Sequence, residues 1–259
     1  MISTDTTAQN IFSARNSGLG DVGVVLDDAQ TVSENPAQNT AITIPVASVS
    51  IQNMYDSAGL NSMSFSFSLP VKKLQSFSIH YSRIGTKIFY NQEVLLSYGI
   101  KISPKLNIGA QIERRNNSYA TETNPILSAW SATIGFSASP LRGLILGASV
   151  SNPTNAKWNN SQRTEVPSIL RIGTCISLST KTFLLSEVKK ETKQSTAYAM
   201  GIEYKPIDQL QLRTGIKTDP FRSSFGAGLA WKKTNIDFSL TVNSYLGLSP
   251  GISIQQKFR

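Results

Sequence analysis

The sequence of 259 residues predicts an all-β fold, a transmembrane antiparallel β-barrel of about 14 strands with an N-terminal plug segment. Three observations predict this fold. Apolar and polar residues alternate along most of the chain, the polar face is too hydrophilic to pack a dry core, and turn signals recur at regular spacing. The first 37 residues lack this alternation and are either a disordered leader or a plug inside the lumen. We favour the plug and divide the chain into a plug segment, residues 1–37, and a barrel, residues 38–259.

The alternation has a period of two residues, which is the period of a β-strand. In residues 62–69, Met63, Phe65, Phe67 and Leu69 alternate with four serines. The pattern returns at 76–82, 106–113, 130–136, 198–204, 210–216, 225–231, 236–242 and 252–258. The opposite face is mostly Ser, Gly, Thr, Asn and Gln, which suits a wet lumen, whereas the apolar face suits lipid. A β-sandwich would instead need one apolar face of each sheet turned inward.

Prolines mark the turns on one side of the predicted barrel. Pro70, Pro104 and Pro140 stand 34 and 36 residues apart, and Pro206 follows 66 residues later. Proline suits a turn because its φ angle is preset and it needs no acceptor for an N–H. Two further turns are expected at 179–181 and 232–235. Seven connections are expected on the other side, around Asp56, Gly85, Asn116, Asn155, Glu191, Pro220 and Gly247.

Six turns and seven connections join fourteen strands and place both termini on the side of the turns. This is the topology of bacterial outer-membrane barrels, whose termini are periplasmic and whose longer loops face the cell exterior. We therefore expect the outer membrane of a Gram-negative bacterium, with outer-membrane lipid around the barrel. Four aromatic residues near the outer side are either members of an aromatic girdle or ordinary loop residues: Tyr90, Tyr119, Trp158 and Tyr245.

The composition excludes several other classes of protein. Charged residues make up 16% of the chain, against about 25% in soluble domains. The net charge is +9, but Lys and Arg stand singly between strands and form no basic-aromatic cluster, so no nucleic-acid partner is expected. The single cysteine, Cys175, excludes an intrachain disulfide, and its spacing from Arg171 predicts a lumen-facing side chain.

The segment 13–37, SARNSGLGDVGVVLDDAQTVSENPA, carries the one family resemblance. It resembles the N-terminal signature of FadL-like outer-membrane β-barrels and of the related PorV/PorQ family, G-A-R-x-x-G-x-G-x-A-x-x-A-x-x-D-D ending in N-P-A. Ser13 replaces the usual first glycine. The matching residues that we take as a plug motif, structural or partner-binding, are Arg15, Gly18, Gly20, Gly23, Asp27, Asp28, Asn35 and Pro36.

The resemblance implies fourteen strands and two candidate functions. FadL-type members carry hydrophobic molecules across the outer membrane, whereas PorV and PorQ members serve the type IX secretion system. Because the loops are short and the readable lumen strands are rich in Ser and Gly, we favour a non-enzymatic accessory subunit of a type IX secretion complex. Its partners would be larger translocon subunits or cargo proteins. FadL-like transport of hydrophobic small molecules is the alternative.

Candidate catalytic and cofactor residues are few. Gly18, Gly20 and Gly23 spell G-x-G-x-x-G, but no strand precedes them and no α/β alternation follows, so glycine packing is expected instead of nucleotide binding. A barrel hydrolase would depend on His80, the only histidine, which shares a face with Ser78 and Ser82. No carboxylate is placed to orient its ring. We expect no catalysis, no cofactor and no metal site.

The acidic residues of the segment are expected to compensate cations of the lumen. Asp27, Asp28 and Glu34 could instead form an acid–base group or a cation site, although charges in a narrow lumen are commonly paired. The expected cationic partners lie on lumen-facing strand positions, such as Arg171, Arg213 and Lys217.

Overall fold

A computed structural model describes residues 12–57, 59–72, 74–86, 88–119, 126–159 and 165–258. Residues 1–11 of the predicted plug segment and Arg259 lie outside this part of the chain, as do parts of the connections predicted around Asn116 and Asn155.

Fourteen strands form a closed antiparallel barrel in which each strand pairs with its sequence neighbours. The first seven are β1 Val46–Asn53, β2 Asn61–Lys72, β3 Gln75–Gly85, β4 Phe89–Ser103, β5 Leu106–Tyr119, β6 Leu127–Ala138 and β7 Leu144–Ser151. The other seven are β8 Ile169–Ser177, β9 Thr182–Glu191, β10 Thr196–Ile207, β11 Leu210–Thr218, β12 Phe221–Trp231, β13 Thr234–Asn243 and β14 Gly247–Lys257. The barrel closes where β1 pairs with β14, from Val46 opposite Lys257 to Gln52 opposite Gly251.

The two faces of the wall follow the predicted alternation. On β2, Met63 and Phe65 are 49% and 42% exposed on the outer surface, whereas Ser62, Ser64 and Ser66 are buried inside. Strand β9, which is not among the alternating stretches found in the sequence, turns Leu185 and Glu187 inward. The large exposed hydrophobic side chains therefore cover the outside of the barrel, as a lipid-facing wall requires.

The turns fall near their predicted places, with small corrections. Pro104 and Pro140 lie in turns, but Pro70 and Pro206 lie within β2 and β10, beside register shifts near the strand ends. Proline lacks the N–H that a regular ladder requires, so a strand accommodates it at such an irregularity. Asn116 lies within β5 and not in the connection that follows it, because the β4–β5 hairpin extends further than its turn signals indicate.

The chain before β1 holds short helices and no strand within residues 12–45. The α-helix α1 covers Ala14–Gly18, and two 3₁₀-helices cover Thr31–Ser33 and Pro36–Ala41. The second 3₁₀-helix crosses residue 38, where we place the start of the barrel, and the first strand begins at Val46. We call residues 12–45 the N-terminal segment. No helix among the described residues is long and apolar enough to cross a membrane.

Candidate functional site

The N-terminal segment lies inside the barrel, where most of its residues are buried. Its helix α1 ends in a tight turn in which Gly20 and Asp21 adopt positive φ angles of 75° and 66°. Gly20 also lies against the backbone of Ile216 on β11, so a side chain would be strained there and would clash.

Asn35 fixes the end of the segment that leads to the wall. Its side-chain oxygen accepts a hydrogen bond from the Ala37 N–H and caps the 3₁₀-helix that begins at Pro36. Its amide nitrogen donates to the carbonyl oxygens of Val24 at 2.8 Å and Phe136 at 3.0 Å. One side chain therefore joins two parts of the segment to β6.

Arg15 belongs to a network of ion pairs at the end of the lumen nearest the termini. Its guanidinium contacts Glu203 at 3.0 Å and Asp27 at 2.9 Å. Glu203 also accepts from Arg213 at 2.7 Å, and Arg213 pairs with Asp237 as well. The predicted compensation of Asp27 thus comes from Arg15 in the same segment and not from a strand cation.

Asp28 has a local structural role. Its carboxylate accepts hydrogen bonds from the Gln30 backbone N–H at 2.8 Å and from the Ser13 hydroxyl at 3.4 Å. Burial raises the pKa of Asp28. The structure shows no ion pair for Asp28 among the described residues, in contrast to the predicted pairing with a lumen cation.

Glu187 of β9 holds the middle of the segment. One carboxylate oxygen accepts the backbone N–H groups of Gly23 at 2.9 Å and Val24 at 3.0 Å, and the other contacts Arg171 at 2.9 Å. Arg171 also contacts Glu34 at 3.3 Å, so Glu34 pairs with one of the lumen cations named from the sequence. Burial raises the pKa of Glu34 to about 7, and Arg171 opposes this shift only in part.

Asp21 anchors the segment toward the other end of the lumen. It contacts Lys217 at 3.1 Å and Arg222 at 3.0 Å. Although burial opposes ionisation, these two cations hold the pKa of Asp21 well below its usual range. Lys217 was predicted to pair with Asp27, Asp28 or Glu34. It pairs instead with Asp21, which was not among the predicted acidic partners.

The segment docks on glycines of the barrel wall, which sequence reasoning missed. At nine glycines on the lumen face of the strands, an added Cβ atom would lie within about 3 Å of an atom of the segment. We call this set the glycine belt, and its members are Gly99, Gly109, Gly135, Gly147, Gly173, Gly201, Gly215, Gly226 and Gly251. Glycine weakens a strand interior and commonly marks the close approach of another backbone, so glycines on the polar face of successive strands were the available signal.

An apolar cluster lies between the segment and one side of the wall. Its buried members from the segment are Leu19, Val22, Val24, Val25 and Leu26, and Leu185 contributes from β9. Ile145, Phe183, Ala199 and Cys175 pack against it. Cys175 thus faces the lumen, as its spacing predicts. The lumen is therefore serine-rich on β2 and β3 but apolar on parts of β7–β10.

Two cavities of about 290 Å³ each flank the segment and share no lining residue. The outer cavity, on the side away from the termini, is lined by Asp21, Arg222 and Lys189 together with apolar side chains. Its apolar lining includes Phe12, Met54, Leu60 and Ile84. The inner cavity is lined by the Arg15 network and by the chain that enters β1.

The remaining candidates form no reactive site. Both ring nitrogens of His80 lack a hydrogen-bond partner among the described residues, so no group orients the ring as a catalytic base would need. In the part of the chain that the structure describes, no cluster of His, Cys, Asp or Glu could hold a metal ion. Gly18 packs on Gly226 and Gly23 lies against Glu34, so both glycines serve close packing.

A closed barrel of fourteen antiparallel strands with an apolar outside and a polar lumen defines an outer-membrane β-barrel. No protein-family model matches the sequence, and a comparison with curated proteins finds no match. Solved structures do match along nearly the whole chain. The Pseudomonas putida toluene transporter TodX has a TM-score of 0.72 and 11% identity, with 96% of this chain and 99% of that chain covered.

Two further solved structures give the same result. The monoaromatic hydrocarbon channel CymD has a TM-score of 0.71 and 13% identity, with 97% of this chain and 99% of that chain covered. A Pseudomonas aeruginosa FadL homologue has a TM-score of 0.68 and 12% identity, with 94% and 98% covered. At these identities the likeness shows the fold, that of the FadL-type outer-membrane barrels.

Proposed function

We propose that this chain is a non-enzymatic outer-membrane channel for small hydrophobic molecules. The observation that carries the proposal is the apolar part of the outer cavity, which is lined by Met54, Leu60 and Ile84. A hydrophobic solute requires apolar side chains along its path. The cluster of Leu185 and Phe183 with the valines of the segment would become part of that path if the segment shifted. Two solved structures with the same fold are described as a toluene transporter and a monoaromatic hydrocarbon channel, which supports the proposal.

The outer cavity is the proposed entrance for the solute. Its volume of about 290 Å³ is small, and its lining combines apolar side chains such as Met54, Leu60 and Ile84 with charged groups. Such a mixture suits a small molecule that is mostly apolar. We place this end of the barrel at the cell exterior and the termini in the periplasm, as expected for the side with the longer loops.

The N-terminal segment is the proposed plug. It separates two cavities that share no lining residue, and Arg15, Asp21 and Asn35 hold it against the wall. Passage of a solute would therefore require a local shift of the segment. The division into a plug, residues 1–37, and a barrel, residues 38–259, is part of this proposal.

The role in type IX secretion stays a prediction that rests on the resemblance of residues 13–37. A serine- and glycine-rich lumen supports that role less than the strand pattern suggested, because the lumen glycines contact the segment. Phe183 and Leu185 are also apolar lumen residues, and they pack against the segment. Translocon subunits or cargo as partners belong to that prediction.

Uptake of a labelled monoaromatic hydrocarbon tests the proposed channel. Cells that lack their own hydrophobic channel would express the wild type, Ile84→Asp or Ile88→Asp. Ile84 lines the outer cavity, whereas Ile88 is 69% exposed in the neighbouring loop. A carboxylate in the pathway disfavours an apolar solute, so uptake should fall about tenfold in Ile84→Asp and stay unchanged in the matched control.

Equal uptake in cells with and without the wild-type chain would contradict the channel. Purification from outer membranes then decides the alternative. Stoichiometric co-purification with a very large secretion barrel would favour the accessory-subunit role, whereas a lone barrel that carries bound hydrophobic molecules would favour the channel.

A further inference from the structure

The carboxylates of the barrel strands all point inward among the described residues. Each is at least nine-tenths buried, and the set is Glu93, Glu113, Glu187, Glu191, Glu203 and Asp237. The outer face of the described strands therefore carries no negative side chain. Any cation on that face lacks an acidic neighbour within the wall and can interact with an external anion.

Two arginines lie on this outer face at the end of the barrel away from the termini. Arg83 on β3 stacks over the Tyr90 ring at 4.3 Å, and Arg114 on β5 lies over the Trp130 ring at 5.7 Å. Neither forms an ion pair within the described residues. Stacking on an aromatic face orients a guanidinium but leaves its N–H donors free for a planar or tetrahedral oxyanion.

The surroundings of the two arginines have the polarity of a membrane interface. Arg83 lies opposite Gln92, and Gln92 lies opposite Asn116, which makes a polar row across β3, β4 and β5. One residue pair further into the wall stands Arg114, opposite Trp130. Aromatic and long basic side chains favour this level, where the headgroups begin.

The next row on the same face is apolar. Ile79, Leu96 and Ile112 are 46%, 50% and 54% exposed, and they lie opposite one another on the three strands. This row faces hydrocarbon. The change from apolar to basic and amide side chains within one residue pair places the arginines beside the headgroups of a leaflet.

We propose that this surface, the β3–β6 rim, binds the phosphorylated headgroup of an outer-leaflet glycolipid. The rim consists of Arg83, Tyr90, Gln92, Arg114, Asn116 and Trp130. The arginines are two strands apart and offset by one residue pair, so they stand about 12 Å apart. This spacing suits a headgroup that carries two phosphates. Between the arginines, the Gln92 side-chain amide donates to the Tyr81 hydroxyl at 3.2 Å. The inference rests on the outer-membrane location and on the proposed orientation with the termini in the periplasm. It does not use the proposed solute, so a failed uptake assay leaves it unaffected.

Lipid retention measured by native mass spectrometry tests the rim. The full chain would be offered bisphosphorylated lipid A, its dephosphorylated form and phosphatidylglycerol. The wild type should retain bisphosphorylated lipid A about tenfold more than the dephosphorylated form, the difference that one charge-assisted contact supplies. Arg83→Gln/Arg114→Gln should lose this preference, and Arg83→Lys/Arg114→Lys should keep part of it because the charge remains.

The opposite end of the barrel offers a matched control. Lys232 lies over the Trp231 ring at 5.2 Å, and Lys233 follows it in the same turn. Lys232→Gln/Lys233→Gln removes two cations beside an aromatic residue and should leave retention of lipid A unchanged. Each variant is compared only after its folded barrel shows the heat-modifiable mobility of the wild type.

Three results would overturn the proposal. The first is equal retention of the phosphorylated and dephosphorylated lipids. The second is unchanged retention in the arginine-to-glutamine double variant. The third is retention of phosphatidylglycerol as strong as that of lipid A, which would assign the rim to anionic phospholipid.

Discussion

At the scale of single residues, buried charges connect the N-terminal segment to the wall. Glu187 accepts two backbone N–H groups of the segment while it contacts Arg171, which in turn contacts Glu34. Removal of one partner from such a group leaves an uncompensated buried charge, which is far more destabilising than the intact group is stabilising. These residues therefore determine where the segment rests.

The raised pKa of Glu34 predicts that the unfolding free energy depends on pH. Its pKa rises from 4.5 to about 7 on burial, and the charged groups around it are Arg171, Glu187, Asp21 and Lys189. Because the folded state binds this proton more tightly than the unfolded state, the contribution is present below pH 4.5 and is lost as the pH rises through 7. In detergent, the unfolding free energy of the wild type relative to Glu34→Gln should fall between pH 5 and pH 8.

Unfolding in urea at a series of pH values measures this difference. Glu34→Gln serves as the reference because the amide keeps an oxygen for the Asn16 side chain, which donates to Glu34 at 2.9 Å. A difference that is flat or rises with pH would show that Glu34 is ionised throughout.

At the scale of elements, the glycine belt lets an irregular segment approach a β-sheet closely. Gly109 lies opposite Gly99 on β4 and Gly135 on β6, and all three contact the segment around Asn35 and Pro36. Gly201 lies opposite Gly215 and contacts Leu19 in the same way. Backbone thus meets backbone without intervening side chains, at the expense of β-propensity in each strand.

A valine in the belt should displace the segment. In Gly109→Val the new side chain meets the backbone of Pro36 and Ala37, and overpacking of this kind costs about 1–3 kcal/mol. Limited proteolysis should therefore cleave residues 12–41 about tenfold faster than in the wild type.

Ala110→Val is the control for the belt variant. It introduces the same residue at the next position, on the exposed outer face. Its cleavage rate should equal that of the wild type. Equal rates for Gly109→Val and Ala110→Val would show that the segment does not depend on the belt.

At the scale of the whole molecule, the barrel wall closes independently of the segment. Every strand pairs with two neighbours, and β14 closes onto β1, so no strand edge relies on the N-terminal residues for hydrogen bonds. Lumen charges also pair within the wall, as Arg213 does with Glu203 and Asp237. The hydrogen-bonded wall of the barrel is therefore closed without any contribution from the segment that lies in its lumen.

Deletion of residues 12–41 should leave a folded but open barrel. The variant should keep the heat-modifiable mobility of the full-length chain, because its ladders are intact. In planar lipid bilayers it should show an ion conductance that the full-length chain lacks, since water would replace the segment. Equal conductance of the two chains would contradict the proposed plug.

The strand pattern, the connection order and the faces of most strands could be predicted from the sequence, because a lipid-facing wall favours alternation of apolar and polar residues. Met63 and Phe65 are examples that need no tertiary information. The strand ends at Asn116, Pro70 and Pro206 could not be placed so well, because hairpin length and bulges depend on pairing between strands.

The sequence by itself thus determined a fourteen-stranded lipid-embedded barrel, since alternation and turn spacing are local properties of the chain. Only the tertiary structure decided the contents of the lumen. Arg15 pairs with Asp27, Lys217 pairs with Asp21, and Phe183 joins an apolar cluster with the segment. These contacts join residues far apart in the chain whose meeting depends on how an irregular segment crosses the barrel, and no sequence period encodes that path.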